Sequence, residues 1–237
     1  MKQKISANIL DENKHVRGKK SSENILIFEG FMGKSRPEVF IIESLGLDDE
    51  TGNLFEGRIL SQILHLSGKK SIYYYVRTKA EFKIMLSEFK KSRYRYLHLS
   101  CHGSKDAIHT TIDEIPFDEL KDMLCPVLDK RRLFLSACSM ANKNLAQKIF
   151  LNSECLSVVG PKSDIEFNDA AIMWASFYHL MFKSNPVAMK HVIVEKNMQS
   201  VVSMFNVPMR YYRKNKKKLF IPTLIKPEKK RGKITKL

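Results

Sequence analysis

The sequence predicts a three-layer α/β sandwich, with a mostly parallel central sheet and helices on both faces. Three observations predict it. Short runs of β-branched, aromatic and aliphatic residues alternate with amphipathic stretches along most of the 237 residues, the pattern of strands joined by crossover helices. Two of the runs, Tyr94–Gly103 and Arg132–Met140, are dominated by apolar side chains and read as buried strands. The segment Pro116–Leu124 between them is helix-like, and a strand–helix–strand unit closes as a right-handed parallel crossover. The carboxyl ends of both strands then share one edge of the sheet, which is where open α/β sheets hold their sites.

The elements follow in order. Residues 1–24 are polar and lysine-rich, and poor order is expected there. Asn24–Phe28, followed by Glu29-Gly30, predicts a short strand with a turn, and Pro37–Ser44 a better one. The acidic loop Asp48-Asp49-Glu50 favours a helix start, because carboxylates complement the positive end of the helix dipole. That helix is expected over about Thr51–His65, with Leu54, Phe55, Ile59, Ile63 and Leu66 near one face and Gly68 as its stop. Ser71–Arg77 reads as a strand. Thr78, with Glu81 three residues on, forms a capping box for a helix carrying Phe82, Met85, Leu86 and Phe89 on one stripe. Strand Tyr94–Ser100 is followed by an irregular excursion with an edge hairpin at Ile108–Ile112. After the strand ending at Cys138 come a short helix at Asn144–Phe150 and a strand at Leu156–Gly160. The most strongly patterned helix spans Asn168–Phe182, capped by Asn168. Pro186 is expected to open another, from Val187 to about Phe205. Tyr211-Tyr212 and Leu219–Ile221 supply a last strand or hairpin.

The net charge of +16 is unevenly spread: +11 falls in residues 210–237, +3 in residues 1–24 and only +2 in residues 25–209. The expected organisation is a basic, flexible segment at 1–24, one α/β domain at 25–209, and a basic segment at 210–237 holding a final strand and then a tail. A basic tail can hold nucleic acid or anionic lipid. This one lacks the aromatic and glycine pattern of an RNA-binding module, so a solvated terminus is the preferred reading. No run reaches eighteen apolar residues and no charged-then-apolar leader opens the chain, so neither a membrane span nor a signal peptide is expected. The four cysteines, 101, 125, 138 and 155, show no paired spacing. A reducing, cytoplasmic setting is expected.

The two buried strands end in reactive side chains, His102 just before Gly103 and Cys138 after Ser136-Ala137. Alternation puts His98, Ser100 and His102 on one face and Leu97, Leu99 and Cys101 on the other. Cys138 is therefore a better partner for His102 than Cys101 is. A thiol needs a neighbouring base to form thiolate near neutral pH, since its free pKa is about 8.5. An imidazole supplies that base and later protonates the leaving amine. Gly103 has no Cβ, so backbone N–H groups near it, with that of Cys138, can form an oxyanion hole. Other readings compete. A strand-end cysteine is commonly a core thiol. His98, Cys101, His102 and Cys138 are all zinc-ligand types, but no Cys-x-x-Cys or His-x-x-x-His spacing supports a metal. C-type haem needs Cys-x-x-Cys-His, and His98 stands at the first Cys position. Cys125 and Cys155 read as core thiols, and His65, His109, His179 and His191 as structural.

His98-Leu-Ser-Cys-His-Gly103 followed by Leu133-Phe-Leu-Ser-Ala-Cys138 resembles the caspase-like CHAT peptidases of clan CD. Those carry a strand ending His-Gly and then a strand ending Ser-Ala-Cys. Ser157-Val-Val-Gly160 and the helix containing Phe177-Tyr178 resemble that family's next strand and helix, so the likeness spans roughly residues 37–183. The resemblance implies a caspase-like fold, His102 as catalytic base, Cys138 as nucleophile and no metal or organic cofactor. It implies a cysteine endopeptidase that cuts a specific protein, as separases do, and several bacterial members serve in immunity. Many relatives carry attached repeats and this chain has none, so a separate activating partner is expected, ordering the loops Gly103–Ile115 and Gly160–Phe167. The acid-bearing strand-end loops, Asp48, Asp49 and Glu50 and then Asp164, Glu166 and Asp169, are expected to border the substrate pocket and favour Arg or Lys before the cut, with Asp164 foremost and Asp48 also singled out. The alternative is a caspase-like scaffold that binds a protein or nucleic-acid partner without turnover.

Overall fold

A computed structural model describes residues 35–228. The strand expected at Asn24–Phe28 and the tail beyond Glu228 lie outside the described residues. The chain begins with β1 (Arg36–Glu43), α1 (Leu47–Thr51), α2 (Glu56–Leu66), β2 (Ile72–Tyr75), α3 (Lys79–Ser92) and β3 (Tyr94–Ser100). Three short strands follow, β4 (His102–Gly103), β5 (Ala107–His109) and β6 (Glu114–Pro116), then α4 (Phe117–Leu124) and β7 (Arg132–Ser136). The rest comprises α5 (Lys143–Asn152), β8 (Ser157–Pro161), α6 (Phe167–Ser184), α7 (His191–Phe205), β9 (Met209–Asn215) and β10 (Leu219–Ile225).

Seven strands form one sheet in the order β10-β9-β8-β7-β3-β1-β2. The five from β2 to β8 are parallel; β9 runs antiparallel to β8, and β10 to β9. Strands of alternating register divide the core in two. Phe40, Ile42, Leu97, Leu99, Leu133, Leu135 and Val158 face one layer, which holds α3, α4 and α5. Val39, Ile41, Tyr96, Phe134 and Val159 face the other, which holds α2, α6 and α7. The result is the three-layer α/β sandwich the sequence predicts. Helix α6 is its strongest anchor. Met173, Trp174, Phe177, Tyr178 and Met181 are fully buried, and Trp174 meets Phe134 edge-on at 5.9 Å. Each such side chain contributes about 1.5–3 kcal/mol by leaving water.

Several expectations are corrected. The helix expected over Thr51–His65 is two helices, because Asn53 takes a left-handed φ of 59° and breaks the run. The face of α2 turned inward is Glu56, Gly57, Leu60, Ser61 and Leu64, while Leu54, Ile59 and Leu66 are exposed. The N-cap of α6 is Glu166 rather than Asn168, which lies in the first turn. Pro186 does not open α7. The Asn185 carboxamide instead accepts from the Val187 and Ala188 N–H groups in a turn, and the helix starts at His191. The excursion after Gly103 is a three-stranded sheet whose Ile108 and Ile115 are fully buried. Of the last strand or hairpin expected from Tyr211-Tyr212 and Leu219–Ile221, the hairpin is present, β9 and β10 forming one edge of the large sheet. No described helix is long and apolar enough to cross a membrane.

Candidate active site

The register of β3 on β7 sets Ser100 opposite Ser136, and the Cys101 N–H donates to the Ser136 carbonyl at 3.2 Å, carrying the pairing one residue further. His102 and Cys138 therefore leave the sheet side by side at its carboxyl edge. Gly103 makes the close approach possible. A Cβ there would lie 2.4 Å from Met140 Cγ, 2.7 Å from Met140 Sδ and 3.1 Å from the Cys138 carbonyl oxygen. The space a side chain would need is filled by the turn that carries Cys138. Ser139, just after the cysteine, has a left-handed φ of 56°. Such a conformation costs on the order of 1 kcal/mol in a residue with a Cβ. The Asn142 amide helps hold the turn, donating to the Ser139 carbonyl at 3.2 Å and the Lys105 carbonyl at 2.9 Å.

His102 is oriented from two sides. Its Nε2 donates to Asp49 Oδ2 at 2.5 Å, and its ring meets Phe167 edge-on at 5.7 Å. With Nε2 carrying the proton toward a carboxylate, Nδ1 is the acceptor nitrogen. Gly46, the N-cap of α1, lets the Asp49 carboxylate fold in beneath the loop; a Cβ at Gly46 would sit 3.0 Å from Asp49 Oδ2.

Cys138 and His102 line one small cavity of about 40 Å³, together with Glu56, Cys101, Ser136 and Phe167. Among the described residues the thiol and the imidazole make no hydrogen bond to each other. Burial pushes the Cys138 thiol up; the Ile165 N–H partly offsets this and the Asp164 carboxylate adds to it. Asp164 Oδ1 also accepts from Ser139 Oγ at 3.4 Å. Cys101 packs against the core on the α3–α5 side, and burial pushes its thiol up to about 12. It reaches the cavity wall as well, so its separation from His102 is less complete than alternation alone suggests.

Beneath the pair lies a buried polar cluster. Glu43 accepts from the Gly57 N–H at 2.6 Å, the Arg58 N–H at 3.2 Å and the Tyr73 hydroxyl at 2.8 Å. It thus binds the N-terminus of α2, and burial pushes its carboxyl up to about 7. Glu56, 3% exposed, accepts from Ser136 Oγ at 2.8 Å and Ser100 Oγ at 3.1 Å. Its Oε1 has no hydrogen-bond partner and lies 3.7 Å from His98 Nε2, which also has none. These acids explain why α2 turns a polar face inward.

The residues singled out from sequence are thus distributed as follows. His102, Gly103 and Cys138 come together, and Asp164 stands beside the sulfur. Asp48 does not reach the site: its side chain is exposed, and the acid of that loop that meets His102 is Asp49. Glu50 is taken up by Arg77 and Tyr75. His98 is buried against Trp174 and Tyr178. The sequence placed Asp49 in a loop bordering the substrate pocket rather than on His102, and assigned Glu56 no role. Asp49 had a signal, an acidic run after a strand whose end faces the site. Glu56 had none, since an acid in a helix reads as solvent-facing. Among the described residues no three His, Cys, Asp or Glu side chains converge as a metal site.

No family model and no curated protein matches the chain. Among solved structures, it is similar to the X-ray structure of a secreted C11 cysteine protease from Bacteroides thetaiotaomicron in complex with an irreversible peptide inhibitor. The identity is 10% and the TM-score 0.49, over 75% of this chain and 66% of that one, just under two thirds of its length.

Proposed function

We propose that the chain is a cysteine endopeptidase in which His102 and Cys138 act as base and nucleophile. The observation that carries this reading is the shared cavity at the sheet's carboxyl edge, with the far nitrogen of His102 held by Asp49. A nucleophile, a base and a group that orients the base are the three parts of an activated thiol. His102 Nδ1 takes the proton from Cys138 Sγ, and the thiolate attacks the substrate carbonyl. Backbone N–H groups at Gly103 and Cys138 receive the oxyanion. The imidazolium then protonates the leaving amine, and water attacks the acyl-enzyme to release the acid. Asp49 is a positioning residue: it fixes the tautomer and stabilises the imidazolium.

Asp164, whose carboxylate stands close enough to Cys138 to raise its pKa, supports a basic residue before the cut. Two observations bear on control: burial raises the thiol pKa, and no direct hydrogen bond joins the thiol to the imidazole among the described residues. They support control by a separate activating partner that tightens the pair. The same two observations favour the second reading, a scaffold that binds without turnover. Incubation with a broad peptide library and sequencing of new termini separates the two. The peptidase reading expects cleavage that Cys138→Ala and His102→Ala each reduce at least about a hundredfold, with Cys101→Ala retaining it. Cleavage surviving in Cys138→Ala contradicts it.

A further inference from the structure

A second and larger cleft of about 490 Å³ begins at Ser139, the residue after Cys138. Its walls come from four separate stretches of chain, and each contributes a cation. Lys105 comes from the β4–β5 turn, Lys143 from the first residue of α5, Lys162 from the end of β8 and Arg210 from β9. Ser139, the residue after Cys138, and Tyr212 complete the lining on which the argument rests. None of the four cations forms an ion pair with an acid among the described residues. Arg210 donates only to the Ala141 carbonyl, at 3.3 Å, in the turn that follows Cys138. No acid is part of the lining; Asp164 accepts from Ser139 Oγ at 3.4 Å.

Four unpaired cations around one cleft give it a positive potential that favours an anion. We infer that this cleft binds acidic side chains of the protein substrate, flanking the bond that Cys138 cuts. The inference rests on the peptidase reading and deepens it. Position identifies the occupant: a chain whose carbonyl lies on Cys138 must run past Ser139, and Ser139 lines the cleft. Size agrees, since the volume suits two or three side chains. The lining argues against single-stranded nucleic acid, which is held by rows of exposed aromatic rings. The one aromatic ring here, Tyr212, is 5% exposed. The cleft thus adds to the peptidase reading a preference for acidic residues to one side of the cut.

The test separates the cleft from the chemistry by using the full chain with Cys138→Ala, which cannot turn substrate over. Binding of a fluorescent hexaglutamate peptide is measured by anisotropy at low and moderate salt, against hexaglutamine and an oligonucleotide of equal charge. The expected result is salt-sensitive binding of hexaglutamate, absent for hexaglutamine. Lys143→Glu with Lys162→Glu should weaken it at least tenfold, and Lys83→Glu on the remote helix α3 should leave it unchanged. The two cleft lysines make no side-chain hydrogen bond among the described residues, so thermal unfolding should be unaffected by their reversal. No binding of hexaglutamate, binding indifferent to the double reversal, or tighter binding of the oligonucleotide through the same lysines would each overturn the inference. Loss of cleavage in the peptide-library assay, with hexaglutamate binding intact, would count against the peptidase reading alone.

Discussion

His102 Nε2 lies 2.5 Å from Asp49 Oδ2, so an acid from α1, the short helix after β1, holds a histidine just beyond the end of β3. Asp49→Asn should therefore lower kcat about ten- to a hundredfold with KM little changed, because the amide can present an N–H and favour the wrong tautomer. The pair is partly exposed, which keeps the loss below that of a buried triad acid. Asp48→Asn, one residue away with its side chain in solvent, should stay within about twofold. Steady-state kinetics on one peptide substrate decide this, and equal effects of the two substitutions would show that Asp49 does not orient the base.

Gly103 tests whether the close approach of the His102 strand to the Cys138 turn matters. Gly103→Ala puts a methyl where Met140 Cγ now sits. It should push the turn outward and cost at least about tenfold in kcat, since small misplacements of reacting groups are expensive. Met140→Ala opens the same space, so the double variant should recover part of the loss. Absence of any rescue would place the effect of Gly103 elsewhere.

Asp164 acts on the thiol through charge. Burial, the largest cause, and the Asp164 carboxylate both raise the Cys138 pKa, while the Ile165 N–H lowers it. A raised pKa moves thiolate formation to higher pH. Asp164→Asn removes one of the raising causes, so iodoacetamide should alkylate Cys138 faster at pH 7.5, with its pH profile shifted down. The same substitution should weaken any preference for Arg or Lys before the cut. A profile unmoved or shifted upward would contradict the assignment.

Glu43 links the buried cluster to stability. Burial, the main cause, raises its folded pKa from 4.5 to about 7. The folded state therefore holds a proton that the unfolded state releases above pH 4.5. Its contribution is present below that pH and is lost as pH rises through 7, amounting to about 3 kcal/mol at most. His191 works in the opposite sense: burial, then Arg132, lowers its folded pKa from 6.5 to about 4, so its contribution is lost as pH falls through that window. The wild-type profile is the net of the two. Comparison with Glu43→Gln cancels the histidine, and the variant should gain relative to wild type in thermal unfolding between pH 4.5 and 7. A constant difference across that range would show that Glu43 is not protonated in the fold.

The fold was legible wherever local chemistry and tertiary demand agree. Strand β3 has the bounds read from its apolar run, and Thr78 with Glu81 forms the expected capping box. Legibility failed where the site imposes its own requirements. Helix α2 buries Glu56, Gly57 and Ser61 because it closes over a carboxylate cluster, so its apolar residues misreport which face is inside. The pairing of His102 with Cys138 could be reached from strand order alone. The acid that contacts His102 could not, because Asp48, Asp49 and Glu50 are alike in sequence. Only the helical turn at Gly46–Glu50 decides which of them turns toward the histidine.

The central claim is that Cys138 is a nucleophile activated by His102. Its most direct test is the rate at which a peptidyl electrophile with a basic terminal residue modifies the intact chain, with the adduct located by mass spectrometry. The account predicts one adduct, on Cys138, forming at least about tenfold more slowly in His102→Ala and leaving Cys101 unmodified. Modification of Cys101 in place of Cys138, or a rate indifferent to His102, would contradict it.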